Sequence, residues 1–174
     1  AMLRAAGRSA APNRHSQIWR TDRMLTSCDG LEDAARRQDR SLFFGSIHAT
    51  LNHVLWADQI WLWRFGAADR PAARSIAEST TTHDGWAELS AARRAFDDHM
   101  VTWADGLDRD ALEQELVWDS AATGKRMRQP RALAAAHIFN HQTHHYGQIH
   151  AALTQAGVRP TDWDLVFAPE EIRA

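Results

Sequence analysis

The sequence has a single cysteine, Cys28, among its 174 residues. One thiol excludes an internal disulfide framework and fits a reducing compartment, so a cytoplasmic location is expected. Near the end of a helical stretch, Cys28 reads as a small buried apolar residue rather than a reactive thiol. Lysine is as scarce: Lys125 is the only one, and arginine carries the rest of the basic charge. With 20 basic and 22 acidic residues the formal net charge is −2, and no block of one sign stands out. That balance excludes a nucleic-acid binder that works through a basic face. No apolar run approaches the ~18 residues of a membrane span, and the N-terminus lacks the apolar stretch of a secretory signal. Neither nucleic acid nor a membrane is therefore expected as a partner. Several catalytic signatures are missing too. There is no HExxH, no Glu three residues before a His, no Gly-rich phosphate loop and no nucleophile elbow.

Tryptophan and histidine are plentiful instead. Trp56, Trp61 and Trp63 crowd one helical stretch, out of eight tryptophans in all. Large aromatics of this kind pack a core or line a cavity beside a site. Of the ten histidines, four fall in "NHQTHHYGQIH", residues 140 to 150. Histidine is a poor helix former, so such a run needs an explanation.

A hydrophobic fraction of 44% suits a soluble globular chain. The length suits one domain, placed at 13–174 behind a flexible N-terminus at 1–12. Periodicity predicts four helices, at about 13–28, 41–65, 84–104 and 130–156. The second takes Ser41 as N-cap and Gly66 as its stop, with Phe43, Ile47, Leu51, Val54, Trp61 and Phe65 within a narrow arc. Apolar residues outside that arc make it a central member. Pro130 opens the last helix and Gly157 ends it. Between the third and fourth helices, Val117-Trp118 and the Thr123-Gly124 turn predict a short hairpin-like arm at about 115–129. The expected fold is all-α, a four-helix bundle with that arm, followed by an irregular tail.

Helical geometry then sorts the histidines. His137, His141 and His145 climb one face of the last helix, each step turning about 40°. His144 borders that face, and His150 points away from it. Neighbours four apart lie close enough to share one ion, but two imidazoles from one helix need a third ligand from a facing helix. The second helix offers His48 and His53, about 140° apart, so both cannot serve one ion. Periodicity leans towards His48, nearer the apolar arc. A core histidine bonded to a carbonyl is the plainer reading of any one of these residues; the ladder facing a further histidine favours a metal.

"FFGSIHATLNHVLWADQIWLWRF" followed by "HIFNHQTHHYGQIHAAL" resembles the DinB family of metal-binding helical bundles, within the wider DinB/YfiT-like superfamily. "IWRTDRML" resembles its opening helix, and "GVRPTDWDLVFA" its tail. The resemblance implies a metal held by His53, from "LNHVLWAD", with His141 and His145 from "NHQTHHYGQ". It selects His53 over His48, and leaves His48, His137 and His144 as neighbours. The family usually carries Arg where this chain has Tyr146. The implied cofactor is a divalent transition metal, zinc or nickel ahead of iron or manganese.

Three neutral imidazoles would leave a coordination position open, the pattern of a reactive site more than a structural one. By resemblance to metal-dependent thiol S-transferases and a maleylpyruvate isomerase in the superfamily, the expected function is a metal-dependent transferase. Its partner would be a small molecule, a low-molecular-weight thiol among the candidates, and the assembly a homodimer. The alternatives are a non-catalytic metal- or ligand-binding stress protein and a metal-dependent hydrolase. Asp58, five residues past His53, is read as a packing or hydrogen-bonding residue.

Overall fold

Helix α3 (Ile47–Arg64) buries thirteen of its eighteen residues, which makes it the central element of the chain. The other helices of the computed structural model are α1 (Arg14–Asp29), α2 (Asp33–Arg37), α4 (Trp86–Asp105), α5 (Arg109–Glu113) and α6 (Arg131–Gln155). The structure describes residues 14–170, and the segment expected to be flexible, 1–12, lies outside them. Helix α3 packs on α4 and α6, while α1 packs on α4 and α6 from the other side. The interior between them holds Met24, Leu25, Leu51, Leu55, Leu89, Ile149 and Leu153, all essentially without solvent contact. Each such side chain stabilises the fold by about 1.5–3 kcal/mol through burial. Cys28 belongs to this core, and burial pushes its thiol up to about 12. That agrees with its reading as a packing residue.

The arm expected between the third and fourth long helices is an antiparallel pair, β1 (Glu115–Ser120) with β2 (Lys125–Pro130), in a register that sets Trp118 opposite Met127. Gly124 at its tip has φ +64°. An all-α chain was expected, and the fold is mostly helical with this small sheet added. The short α2 and α5 and two 3-10 turns, Glu78–Thr81 and Leu165–Phe167, carry too few residues to show a period in the sequence.

The start of α3 differs from expectation. Ser41 is not its N-cap. Residues 41–45 form a tight turn, with Ser41 at φ +59°, Gly45 at φ +78° and a bridge between Leu42 and Gly45. Asp39 accepts the Ser41 backbone N–H at 2.8 Å, which holds that uncommon conformation. The cap is Ser46, whose Oγ accepts from the Ala49 backbone N–H at 3.1 Å. Phe43 is consequently 78% exposed instead of lying on the core arc. The other end matches the reading: Gly66 takes φ +76°, and the Ala67 N–H bonds the Leu62 carbonyl. Gly157 ends α6 in the same way, with the Val158 N–H on the Leu153 carbonyl. The tail beyond it folds back, burying Trp163 and setting the Asp162 carbonyl to accept from Arg23 Nε–H. Among the described residues no helix is long and apolar enough to cross a membrane.

Candidate metal centre

Helices α3 and α6 run antiparallel. His53 meets His141 near one end of their seam, and Arg131 donates to the Phe65 carbonyl near the other. On α6, His141 and His145 sit one turn apart on the side facing α3. Their ring nitrogens converge: His53 Nε2 lies 3.3 Å and His145 Nε2 3.2 Å from His141 Nε2. One ligand atom from each of His53, His141 and His145 falls within 4.8 Å of the others. His53 and His145 are each 5% exposed, so water offers little alternative solvation.

Hydrogen bonding on the far side of two rings fixes which nitrogen carries the proton. His53 Nδ1 is 2.8 Å from Ser79 Oγ, and the Ser79 hydroxyl already donates to the Ile76 carbonyl at 2.6 Å. Ser79 therefore accepts from His53, which leaves Nε2 of His53 as a bare lone pair. His145 Nδ1 donates to Gln148 Oε1 at 2.9 Å, while the Gln148 amide donates to His144 Nε2 at 3.1 Å. His145 Nε2 is thus a lone pair as well. Both point at His141 Nε2, which can donate a single proton to one of them at most. Three convergent imidazole nitrogens with two fixed lone pairs are unfavourable without a cation and suited to one. A divalent ion fits this donor set. Outer partners that fix tautomer and ring angle in this way are what metal-ligating imidazoles ordinarily have.

The electrostatics agree. Desolvation, then the neighbouring His145, lowers His53 to about 4. Desolvation, then His145, His53, His137 and His144, lowers His141 to about 3. Desolvation also lowers His145, against the Gln148 bond. All three are neutral near pH 7, the form that coordinates.

The other histidines fall outside this set. His48 Nε2 contacts the His83 carbonyl at 2.9 Å, the bland role that any single histidine invites. Periodicity leans towards His48, but its ring does not join the convergent group, because α3 is buried on nearly every face and its apolar arc does not mark the seam with α6. His144 and His137 stack beside the triad, 5.0 Å from His145 and 5.6 Å from His141. His150 stands on Trp163 at 4.7 Å, away from the seam.

Sequence reasoning missed the residues that hold the site in place. Asn52 accepts from Thr82 Oγ1 and the His83 N–H, both at 2.8 Å, pinning the loop that delivers Ser79. Phe44 lays its ring 4.0 Å from His53 and 5.5 Å from His145, roofing both imidazoles. Gln148 was legible in principle from its i+3 spacing to His145; Ser79 had no local signal. Asp58 lies on the inner side of α3, where it accepts from Arg93 at 2.6 Å and Gln142 at 2.7 Å. Tyr146 is fully buried beside that group, its hydroxyl 2.9 Å from Thr21 Oγ1.

A mostly helical chain with three convergent histidines at a helix seam defines the class of protein. A model of the DinB family matches residues 14–173, and the chain belongs to that family. A DinB-like protein from Bacillus cereus ATCC 10987, known from a crystal structure, has a similar fold. It superposes with a TM-score of 0.62 at 18% identity, covering 85% of this chain and 94% of that one. No curated protein matches the chain.

Proposed function

We propose that His53, His141 and His145 hold a divalent transition metal and that the protein is a metal-dependent transferase acting on a low-molecular-weight thiol. The observation that carries the reading is the pair of fixed lone pairs on His53 and His145 aimed at His141 Nε2. When bound, a divalent ion lowers the pKa of a coordinated thiol and orients its sulfur. The residues do the rest. Ser79 and Gln148 hold two rings in register, and Phe44 keeps water from one side. In the transfer, the sulfur forms a bond to an electrophilic carbon, the leaving group departs with its electron pair, and the thiol proton goes to solvent. Zinc and nickel suit three imidazoles best, with iron and manganese next.

Residues 13–174 are read as one DinB-type four-helix bundle in the cytoplasm, built on α1, α3, α4 and α6. The exposed Phe43, Val166 and Phe167 offer apolar surface for a homodimer. Metal-replete protein screened with small thiols and electrophiles tests the activity. Turnover abolished by EDTA and restored by zinc or nickel is the expected result. Thiol binding without turnover under any pairing would refute the transferase reading in favour of non-catalytic ligand binding.

A further inference from the structure

One guanidinium near this seam has no partner. Arg64, the last residue of α3, is half-buried and makes no hydrogen bond or ion pair among the described residues. Its Nε is shut off from solvent with no acceptor, as in Arg20, Arg36, Arg40, Arg93 and Arg131, so what sets Arg64 apart is that its terminal nitrogens also bond to nothing among the described residues. Other partly buried arginines all donate to something: Arg20 to Thr143, Arg23 to Asp162, Arg36 to Cys28, Arg40 to Gln38, Arg93 to Asp58 and Asp97, Arg94 to Asp22, Arg131 to Phe65. Arg64 instead lies against two indoles, 4.5 Å over Trp61 and 5.3 Å from Trp118. This surface is built from distant parts of the chain, since β1 of the hairpin brings Trp118 edge-to-face to 5.2 Å from Trp61. Contact with the two rings restrains the guanidinium and leaves its terminal N–H donors, which bond to no described residue, to meet an anion.

Its position relates it to the triad. Eleven residues separate His53 from Arg64, which is three turns and about 20°, so both lie on one face of α3 about 16 Å apart along the axis. The row between them is continuous: Trp61 meets His137 edge-to-face at 5.1 Å, and His137 lies tilted 5.6 Å from His141. His137 is exposed, so this row lies open to a ligand.

We infer that Arg64, held against Trp61 and Trp118, is an anchor for the anionic end of the ligand whose other end reaches the His53–His141–His145 site. The ligand class is an elongated small molecule with a metal-binding head and a carboxylate or phosphate tail, its middle lying along His137 and Trp61. A bidentate guanidinium–anion pair supplies both orientation and a charge-assisted bond. The inference rests on the metal-site reading proposed above.

Cobalt-loaded protein titrated with 3-mercaptopropionate, 6-mercaptohexanoate and 11-mercaptoundecanoate, each against the neutral mercapto-alcohol of equal length, tests it through the sulfur-to-cobalt absorption band. The longer carboxylates should bind about tenfold tighter than their alcohols, and 3-mercaptopropionate should show no such preference. Arg64→Gln should erase the preference while keeping its metal content and melting temperature, and Arg64→Lys should keep part of it. A carboxylate-to-alcohol ratio near one in the parent, or one that Arg64→Gln leaves unchanged, overturns the inference. If no thiol gives a band, the metal-site reading fails on its own. Arg64 is then judged in metal-free protein by the NMR signal of its Nε–H, titrated with hexanoate and undecanoate against the matching alcohols. A shift specific to the carboxylates sustains the anion site, and its absence overturns it.

Discussion

If His53, His141 and His145 hold an ion, removing it should cost the folded protein in a pattern that identifies its ligands. A metal that binds only the folded state stabilises it by about 2.7 kcal/mol when present at 100 times its dissociation constant. For a chain of this size, 1 kcal/mol moves the melting temperature by about 2–4 °C, so a chelator should lower it by about 5–11 °C. His141→Ala should abolish this chelator effect, because its Nε2 is the one that both other rings face, at 3.3 and 3.2 Å. His53→Ala and His145→Ala should behave alike. His144→Ala should keep the metal, since His144 reaches the site only through Gln148. His48→Ala should keep it too, its ring nitrogen being committed to the His83 carbonyl. The assay is thermal melting with and without EDTA, run beside metal analysis of each variant. Full metal content in His141→Ala, or its loss in His144→Ala, would refute the assignment.

Further outcomes follow from the buried titratable groups. Arg93→Met strands the Asp58 and Asp97 carboxyls, now 2.6 Å from its guanidinium, and should destabilise the protein by about 3–5 kcal/mol in urea unfolding; a loss below about 1 kcal/mol would show that the carboxyls need no cation. Acid should release the metal late. His53 and His141 sit at about 4 and 3 because burial and neighbouring imidazoles disfavour their charged forms. Protons therefore compete poorly until the pH falls well below the ordinary imidazole value of about 6.5. Metal retention followed by dialysis should persist to about pH 5, and a midpoint at 6 or above would contradict the environment described. In metal-free protein these depressed imidazoles contribute stability that is complete above about pH 6.5 and lost as pH falls through their folded values. Asp97, raised to about 6 mainly by burial, runs the other way: its contribution is present in acid and fades as pH rises through 6.

The ladder on α6 was legible because period and spacing act within one helix: positions 141 and 145 must share a side whatever the rest of the chain does. The choice between His48 and His53 was not legible from period, because α3 is buried on thirteen of eighteen positions and no arc singles out one neighbour. Only the resemblance of "LNHVLWAD" to a family motif pointed to His53. The start of α3 was misplaced for a related reason. Ser41 and Ser46 are both plausible caps, and the choice turned on a five-residue turn closed by Asp39 and Gly45. The roofing ring of Phe44 and the Ser79 acceptor come from separate loops, so no local pattern announces them.

Helix α6 meets two unlike environments over the same two turns. His141 and His145 face the seam with α3, while Gln142 and Tyr146, each one residue further on, turn about 100° into the interior. There Gln142 donates to Asp58 at 2.7 Å, and Tyr146 pairs with Thr21 at 2.9 Å. A purely apolar inner face would let α6 rotate or slide by a fraction of a turn at small cost, since hydrophobic burial is non-directional. Directional bonds to a buried ionic group do not allow that. Asp58 lies five residues along α3 from His53, and Gln142 lies next to His141, so a single 2.7 Å contact sets the rotation of both histidine-bearing helices. Buried ion pairs add little net stability over apolar packing, and fixing one arrangement is the use best attested for them. The Arg93–Asp58–Gln142 group serves the histidine cluster in that way: it holds the azimuth at which Nε2 of His53 and Nε2 of His141 come within 3.3 Å.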